Sequence, residues 1–186
     1  TYILKYGATD TSGNTATEVQ RIVTVGDTGA PVILLVGNVL VTHEAKTTYV
    51  DAGATASDTL DGNLTGSVTS VSTVNTDAVG SYSVTYSVSD TEGNAAPDVV
   101  RTVSVVDTTK PVITLLGNAT ETVEAKGTYT DAGASASDTL DGSLTVTSLS
   151  SVNTDSVGSY TVTYSVSDAN GNAADSVTRT VSVVDT

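Results

Sequence analysis

Asp58 and Asp61 stand three residues apart in Ala-Ser-Asp-Thr-Leu-Asp-Gly, residues 56–62, and the same seven residues return unchanged at 136–142 with Asp138 and Asp141. Two carboxylates at that spacing, closed by a glycine, suit three kinds of chemistry. Acid–base catalysis would need a pocket to hold a substrate against them. Turn formation would use each Asp to accept a backbone N–H two residues on. Cation binding would need roughly six to eight oxygens for calcium, so two aspartates supply only part of a shell. The spacing is not that of an EF-hand loop, which has acidic residues at alternate positions and a later Glu. Any cation site must draw on other loops.

Those loops are found by sliding the sequence on itself. Asp27-Thr-Gly-Ala-Pro-Val-Ile33 matches Asp107-Thr-Thr-Lys-Pro-Val-Ile113 eighty residues later, and Asn75-Thr-Asp77 matches Asn153-Thr-Asp155. Of sixteen Asp residues, fourteen recur in register: 10/90/168, 27/107/185, 51/131, 58/138, 61/141 and 77/155. The expected domains are 1–26, the last strands of a truncated repeat, then complete repeats at 27–106 and 107–186. The chain therefore reads as an excerpt of a tandem array.

The elements that must position the acids are strands. Residues 81–89 alternate, with Tyr82, Val84, Tyr86 and Val88 on one face and Ser or Thr on the other, and the pattern returns at 159–167. β-Branched runs follow at 99–107 and 177–185. Earlier strands are expected at Val32–Val36, Val39–Glu44, Thr48–Ser57 and Leu64–Val74, with no helical periodicity beyond a turn. About seven strands in some 80 residues imply an all-β fold of tandem immunoglobulin-like β-sandwich domains in an extended array. The eight tyrosines fall at matching places, 2/82/160, 6/86/164 and 49/129, and are expected in the core and at corners, their hydroxyls bonded. Arg21, Arg101 and Arg179 share parity with core valines, which asks for an ion pair or a bulge.

In such a sandwich the entering linker and the loops after the second and last-but-one strands lie at one end. The expected metal set is Asp27, Asp58, Asp61, Asp90 and Asn94 in one repeat, and Asp107, Asp138, Asp141, Asp168 and Asn172 in the next. The cofactor expected there is Ca2+. Seven Lys and Arg against 21 Asp and Glu leave a net charge of −14, with few cations to neutralise the clusters. Glu44 and Asp77 are weaker candidates for the Asp107 junction.

The same charge disfavours nucleic acid and anionic membrane surfaces as partners. No apolar run approaches the roughly 20 residues of a membrane-spanning helix, so no membrane insertion is expected of this segment. With no Cys there is neither a disulfide nor a thiolate site. The single His43 has Val123 as its repeat partner, and no nucleophile–base set or phosphate loop is present, so the segment is not expected to be an enzyme.

The combined motifs, Asp-Thr-x-x-Pro-Val-Ile at 27–33 and 107–113, Tyr-x-Asp-Ala-Gly-Ala through Asp-Gly at 49–62 and 129–142, and Val-Gly-Ser-Tyr-x-Val-Thr-Tyr-Ser-Val-Ser-Asp at 79–90 and 157–168, resemble bacterial surface immunoglobulin-like repeats related to hyalin repeats. The resemblance covers the whole chain. It implies a structural segment of a secreted or cell-surface adhesin stalk or filament, with calcium at domain junctions, although neither linker has the longer acidic run of cadherins. The expected partners are neighbouring repeats of the same polypeptide, with lateral or end-to-end self-association, including strand exchange through residues 1–26, as a further route. A glycan- or protein-binding module is the alternative.

Overall fold

The computed structural model describes residues 1–186. The chain divides into two compact units, one of Thr1–Asn38, Ala52–Val71 and Thr85–Val100, the other of Val39–Asp51, Ser72–Val84 and Arg101–Thr186.

Repeat 107–186 lies whole within the second unit and shows the architecture. Its strands are β10 (Val112–Leu115), β11 (Thr120–Glu124), β12 (Ala134–Asp138), β13 (Gly142–Leu144), β14 (Thr147–Ser150), β15 (Gly158–Ser165) and β16 (Val177–Val184). They form a three-stranded sheet, β10-β12-β13, and a four-stranded sheet, β11-β16-β15-β14. All pairings are antiparallel except β11 with β16, which run parallel from Thr120↔Thr180 to Glu124↔Val184. This is the immunoglobulin-like sandwich that the strand pattern predicts.

The alternation of β15 becomes burial: Val162 and Tyr164 are sealed, and they meet Ile113, Ala136 and Val181 in one core. Each such aliphatic side chain contributes about 1.5–3 kcal/mol by leaving water. Tyr160 sits at the corner and donates its hydroxyl to Ser156 O at 2.8 Å, as Tyr82 does to Ala78 O at 2.9 Å.

In the preceding repeat, β3 (Val32–Leu35), β4 (Leu40–Glu44), β5 (Ala54–Asp58), β6 (Gly62–Asn63), β7 (Thr69–Ser72), β8 (Gly80–Ser87) and β9 (Val99–Val106) take the same two strand orders, β3-β5-β6 and β4-β9-β8-β7. Within residues 1–26, β1 (Tyr2–Tyr6) and β2 (Val19–Val23) pair as an antiparallel ladder.

Two expectations change. The 48–57 strand is shorter, only Ala54–Asp58, and the 64–74 strand is broken by a 3-10 turn at Thr65–Ser67. The Ala-Ser-Asp-Thr-Leu-Asp-Gly loop, placed after the second strand by analogy with the general sandwich, follows the third, because the entering segment forms two strands. The cause is local: Gly37 and Gly117, at φ 81° and 80°, turn the chain between the first two strands of each repeat. That left-handed step favours glycine, and it sends the two halves, β3 and β4 or β10 and β11, to different sheets.

Candidate metal centre

Turn chemistry accounts for much of the acid cluster. Asp90 accepts Asn94 N and Asn94 Nδ2, each at 2.7 Å, and Asp168 accepts the same pair from Asn172 at 2.7 and 2.8 Å. Asp10 and Asn14 repeat the arrangement in the first hairpin at 2.9 Å. These turns return the chain through Gly93 and Gly171, both with φ near 90°. Asp58 likewise accepts Leu60 N at 2.7 Å and Asp61 N at 3.1 Å, which hold its carboxyl below the usual range. At Asp138 burial pushes the carboxyl up, but the amides of Asp141 and Leu140 outweigh it and the net shift is down.

Asp61 is a bridge between loops. Its two oxygens accept Thr91 N at 2.7 Å and Thr91 Oγ1 at 3.0 Å, and Asp141 accepts Ala169 N at 2.7 Å. Asn94 and Asn172 act as ties, since each also gives its amide to the carbonyl of Asp27 or Asp107, at 3.3 and 3.0 Å.

The linker aspartates also accept a backbone amide two residues on, and each belongs to an acidic trio. Oxygens of Asp27, Asp90 and Glu92 lie within 4.8 Å of one another, as do those of Asp107, Asp138 and Asp141. Calcium–oxygen distances of about 2.3–2.6 Å let one ion touch oxygens up to about 5 Å apart, so each trio fits a single ion. Asp27 Oδ1 accepts Gly29 N at 2.9 Å, whereas Asp27 Oδ2 is sealed from solvent and has no hydrogen-bond partner. A buried carboxylate oxygen without a donor is costly, and a cation is the ligand that removes the cost.

Of the expected ligands, Asp27 and Asp90 lie in the first trio and Asp107, Asp138 and Asp141 in the second, while Asp58, Asp61, Asn94, Asp168 and Asn172 serve turns and ties between loops. Glu92 was not among the expected ligands and belongs to the first trio. The signal was its place inside Asp90-Thr-Glu-Gly-Asn94, where repeat equivalence hid it because Asn170 occupies the matching position. Glu44 does reach the linker, accepting Thr108 N at 2.8 Å and Thr108 Oγ1 at 2.7 Å, while Asp77 pairs instead with Lys46 Nζ at 2.9 Å. Glu124 holds Thr186 in the same way, at 3.0 and 2.8 Å.

Two of the three arginines prove to be buried anchors, whereas Arg21 is exposed and lies over the Tyr6 ring, 5.9 Å from its centroid. Arg101 and Arg179 are sealed and ion-paired with Asp51 and Asp131 respectively. Arg179 also donates to the carbonyls of Leu116, Gly133 and Asn118, and Asp131 accepts the hydroxyls of Tyr129 and Tyr164. Burial alone would raise Asp131, but Tyr164, Tyr129, the Gly133 amide and Arg179 hold it low.

The defining pattern of the family described as "Bacterial surface protein, Ig-like domain" matches residues 33–105 and 113–183. The chain belongs to that family. Its Ig-like domains are bacterial surface modules, which agrees with an extracellular or cell-surface location. No curated protein matches. Among solved structures, the M60 catalytic domain with two CBM51 domains of Clostridium perfringens ZmpB is 14% identical at TM-score 0.46, covering 99% of this chain and 33% of that one. A Bacteroides thetaiotaomicron lipoprotein is 16% identical at TM-score 0.38, covering 80% and 99%. The protocadherin GammaB4 extracellular domain is 10% identical at TM-score 0.41, covering 99% and 42%. This chain spans about a third of the ZmpB chain, and none of these likenesses reaches a TM-score of 0.5.

Proposed function

We propose that these domains are non-catalytic structural repeats of a bacterial adhesin stalk or extracellular filament, and that calcium at their acidic ends stiffens the array. The observation that carries the calcium reading is Asp27 Oδ2, buried and without a donor beside Asp90 and Glu92. Linker contacts support the structural role. Glu44 grips Thr108, and the adjacent Asp107 is held by Asn170 and Asn172, so the linker is tied on both flanks by hydrogen bonds. The partners in this reading are neighbouring repeats of the same polypeptide, with lateral or end-to-end self-association as the further contact.

Thermal unfolding in calcium and in excess chelator, on the chain and on Asp27→Ala, tests this. Ion binding should stabilise the chain by about 2.7 kcal/mol at a hundredfold excess over Kd, and Asp27→Ala should lose most of that gain. Coincident melting curves with and without calcium would remove the metal from the account.

A glycan-binding role is favoured by one feature, an open recess of about 410 Å3 lined by Lys46, Thr47, Thr48, Tyr49, Ser72, Val74, Thr76 and Asp77. Its hydroxyls and the Lys46–Asp77 pair suit a polar ligand, but Tyr49 commits its own hydroxyl to Asp51 at 2.9 Å. Binding of the chain on a glycan array, lost in Asp77→Ala, would favour this second role.

A further inference from the structure

We infer that the two acidic ends are not equivalent: the Asp27 end is the high-affinity cation site, and residues 29 and 92 against 109 and 170 set the difference. This rests on the calcium reading above and ranks the sites within it.

The two linker aspartates occupy matching positions in a repeated sequence, yet their oxygens meet different neighbours. Asp107 Oδ1 accepts Thr109 N at 3.2 Å and Thr109 Oγ1 at 2.7 Å, and Asp107 Oδ2 accepts Asn170 Nδ2 at 3.0 Å. Both oxygens are satisfied by the protein. In the other repeat Gly29 stands for Thr109 and Glu92 for Asn170. The hydroxyl donor is missing, and the amide donor has become a carboxylate.

The consequence is the orphan already described. Asp27 Oδ2 keeps no donor although solvent does not reach it, and a third carboxylate, Glu92, comes within 4.8 Å of the Asp27 and Asp90 ligand atoms. A cation entering here displaces no protein hydrogen bond at Asp27 Oδ2 and gains a negative ligand. At the other end Asp107, Asp138 and Asp141 also supply three carboxylates, but the cation must first break the Asn170–Asp107 bond. Since each end offers three carboxylates, the ranking rests on the hydrogen bond that must be given up at Asp107 and on the unpaired oxygen at Asp27. Affinity for the Asp27 end is therefore expected to exceed that for the Asp107 end by roughly tenfold or more.

Glu92 and Asn170 are both exposed, so exchanging them puts little of the fold at risk. Calorimetric titration with calcium chloride should be run on the whole chain, on Glu92→Asn and on Asn170→Glu, with melting curves in chelator as a check on folding. The expected result is two classes of site in the parent chain. Glu92→Asn should weaken the tight class by roughly tenfold, and Asn170→Glu should tighten the weak class by a similar factor. Two sites of equal affinity, indifferent to both exchanges, would overturn the ranking and leave the calcium reading standing. A tight class that survives Glu92→Asn but disappears in Asp138→Asn would reverse the order and also overturn it. No binding by the parent chain would remove both the ranking and the calcium reading.

Discussion

Asp131 and Asp27 are both carboxylates outside the regular strands, and the chain treats them in opposite ways. Asp131 meets a sealed arginine and two tyrosine hydroxyls. Asp27 meets one backbone amide, two further acids and no cation. A buried charge that is paired inside the protein is a structural anchor, whereas one left beside like charges marks a place where something from solution completes the structure.

The contrast is broken most strongly at the arginine. Arg179→Met should destabilise repeat 107–186 by about 3 kcal/mol, the low end for a broken buried pair because Asp131 keeps 26% of its side-chain surface exposed. Urea unfolding checks this, and adding Asp131→Asn to Arg179→Met should recover part of the loss. Tyr164→Phe removes one donor to the same carboxylate and should cost about 2 kcal/mol by the same measurement.

The same exchange at the two aspartates should sharpen the comparison. In chelator, Asp131→Asn is destabilising, because Arg179 loses its nearer counter-charge and keeps only Glu121 at 3.7 Å. Asp27→Asn is neutral or stabilising by on the order of 0.5 kcal/mol, because it relieves repulsion with Asp90 and Glu92. Equal losses at both positions would mean that Asp27 is a structural residue like Asp131.

The smallest effect concerns pH. Glu44 is held below the ordinary glutamate range by the Thr108 amide first and the Thr108 hydroxyl next, and Glu124 is held low by Thr186 in the same way. A folded-state value below the unfolded one adds stability above the unfolded value, and that stability is lost as pH falls through the folded value. The linker contacts are thus intact at neutral pH and weaken only below the ordinary glutamate range. A carbon-detected NMR titration should find both carboxylates ionising below the ordinary glutamate range, and midpoints within that range would argue that the contacts are absent in solution.

Much of the fold was legible because alternation is a short-range signal. Tyr82, Val84, Tyr86 and Val88 announce one buried face without reference to the rest of the chain. The break at Gly37, between the strands expected at 32–36 and 39–44, was legible, but the change of sheet there was not, since a single glycine between two β-branched runs reads as punctuation within one sheet as easily as a change of sheet. Arg101 and Arg179 gave a partial signal: their parity with core valines required a partner, but Asp51 and Asp131 lie about 50 residues away in sequence. The acidic ends were legible as groups, because linker and loops share an end in this kind of sandwich. Individual roles were not. Repeat equivalence weighed Asp27 and Asp107 alike, and the difference lies in Gly29 and Glu92, the positions where the repeats disagree.

Crystals grown in calcium, with anomalous scattering data collected to locate the ion, test the central claim most directly. A peak within about 2.6 Å of Asp27 Oδ2 and in contact with Asp90 or Glu92 is the result expected. Asp27 Oδ2 found bonded to a protein donor, with no anomalous peak beside it at saturating calcium, would contradict the account.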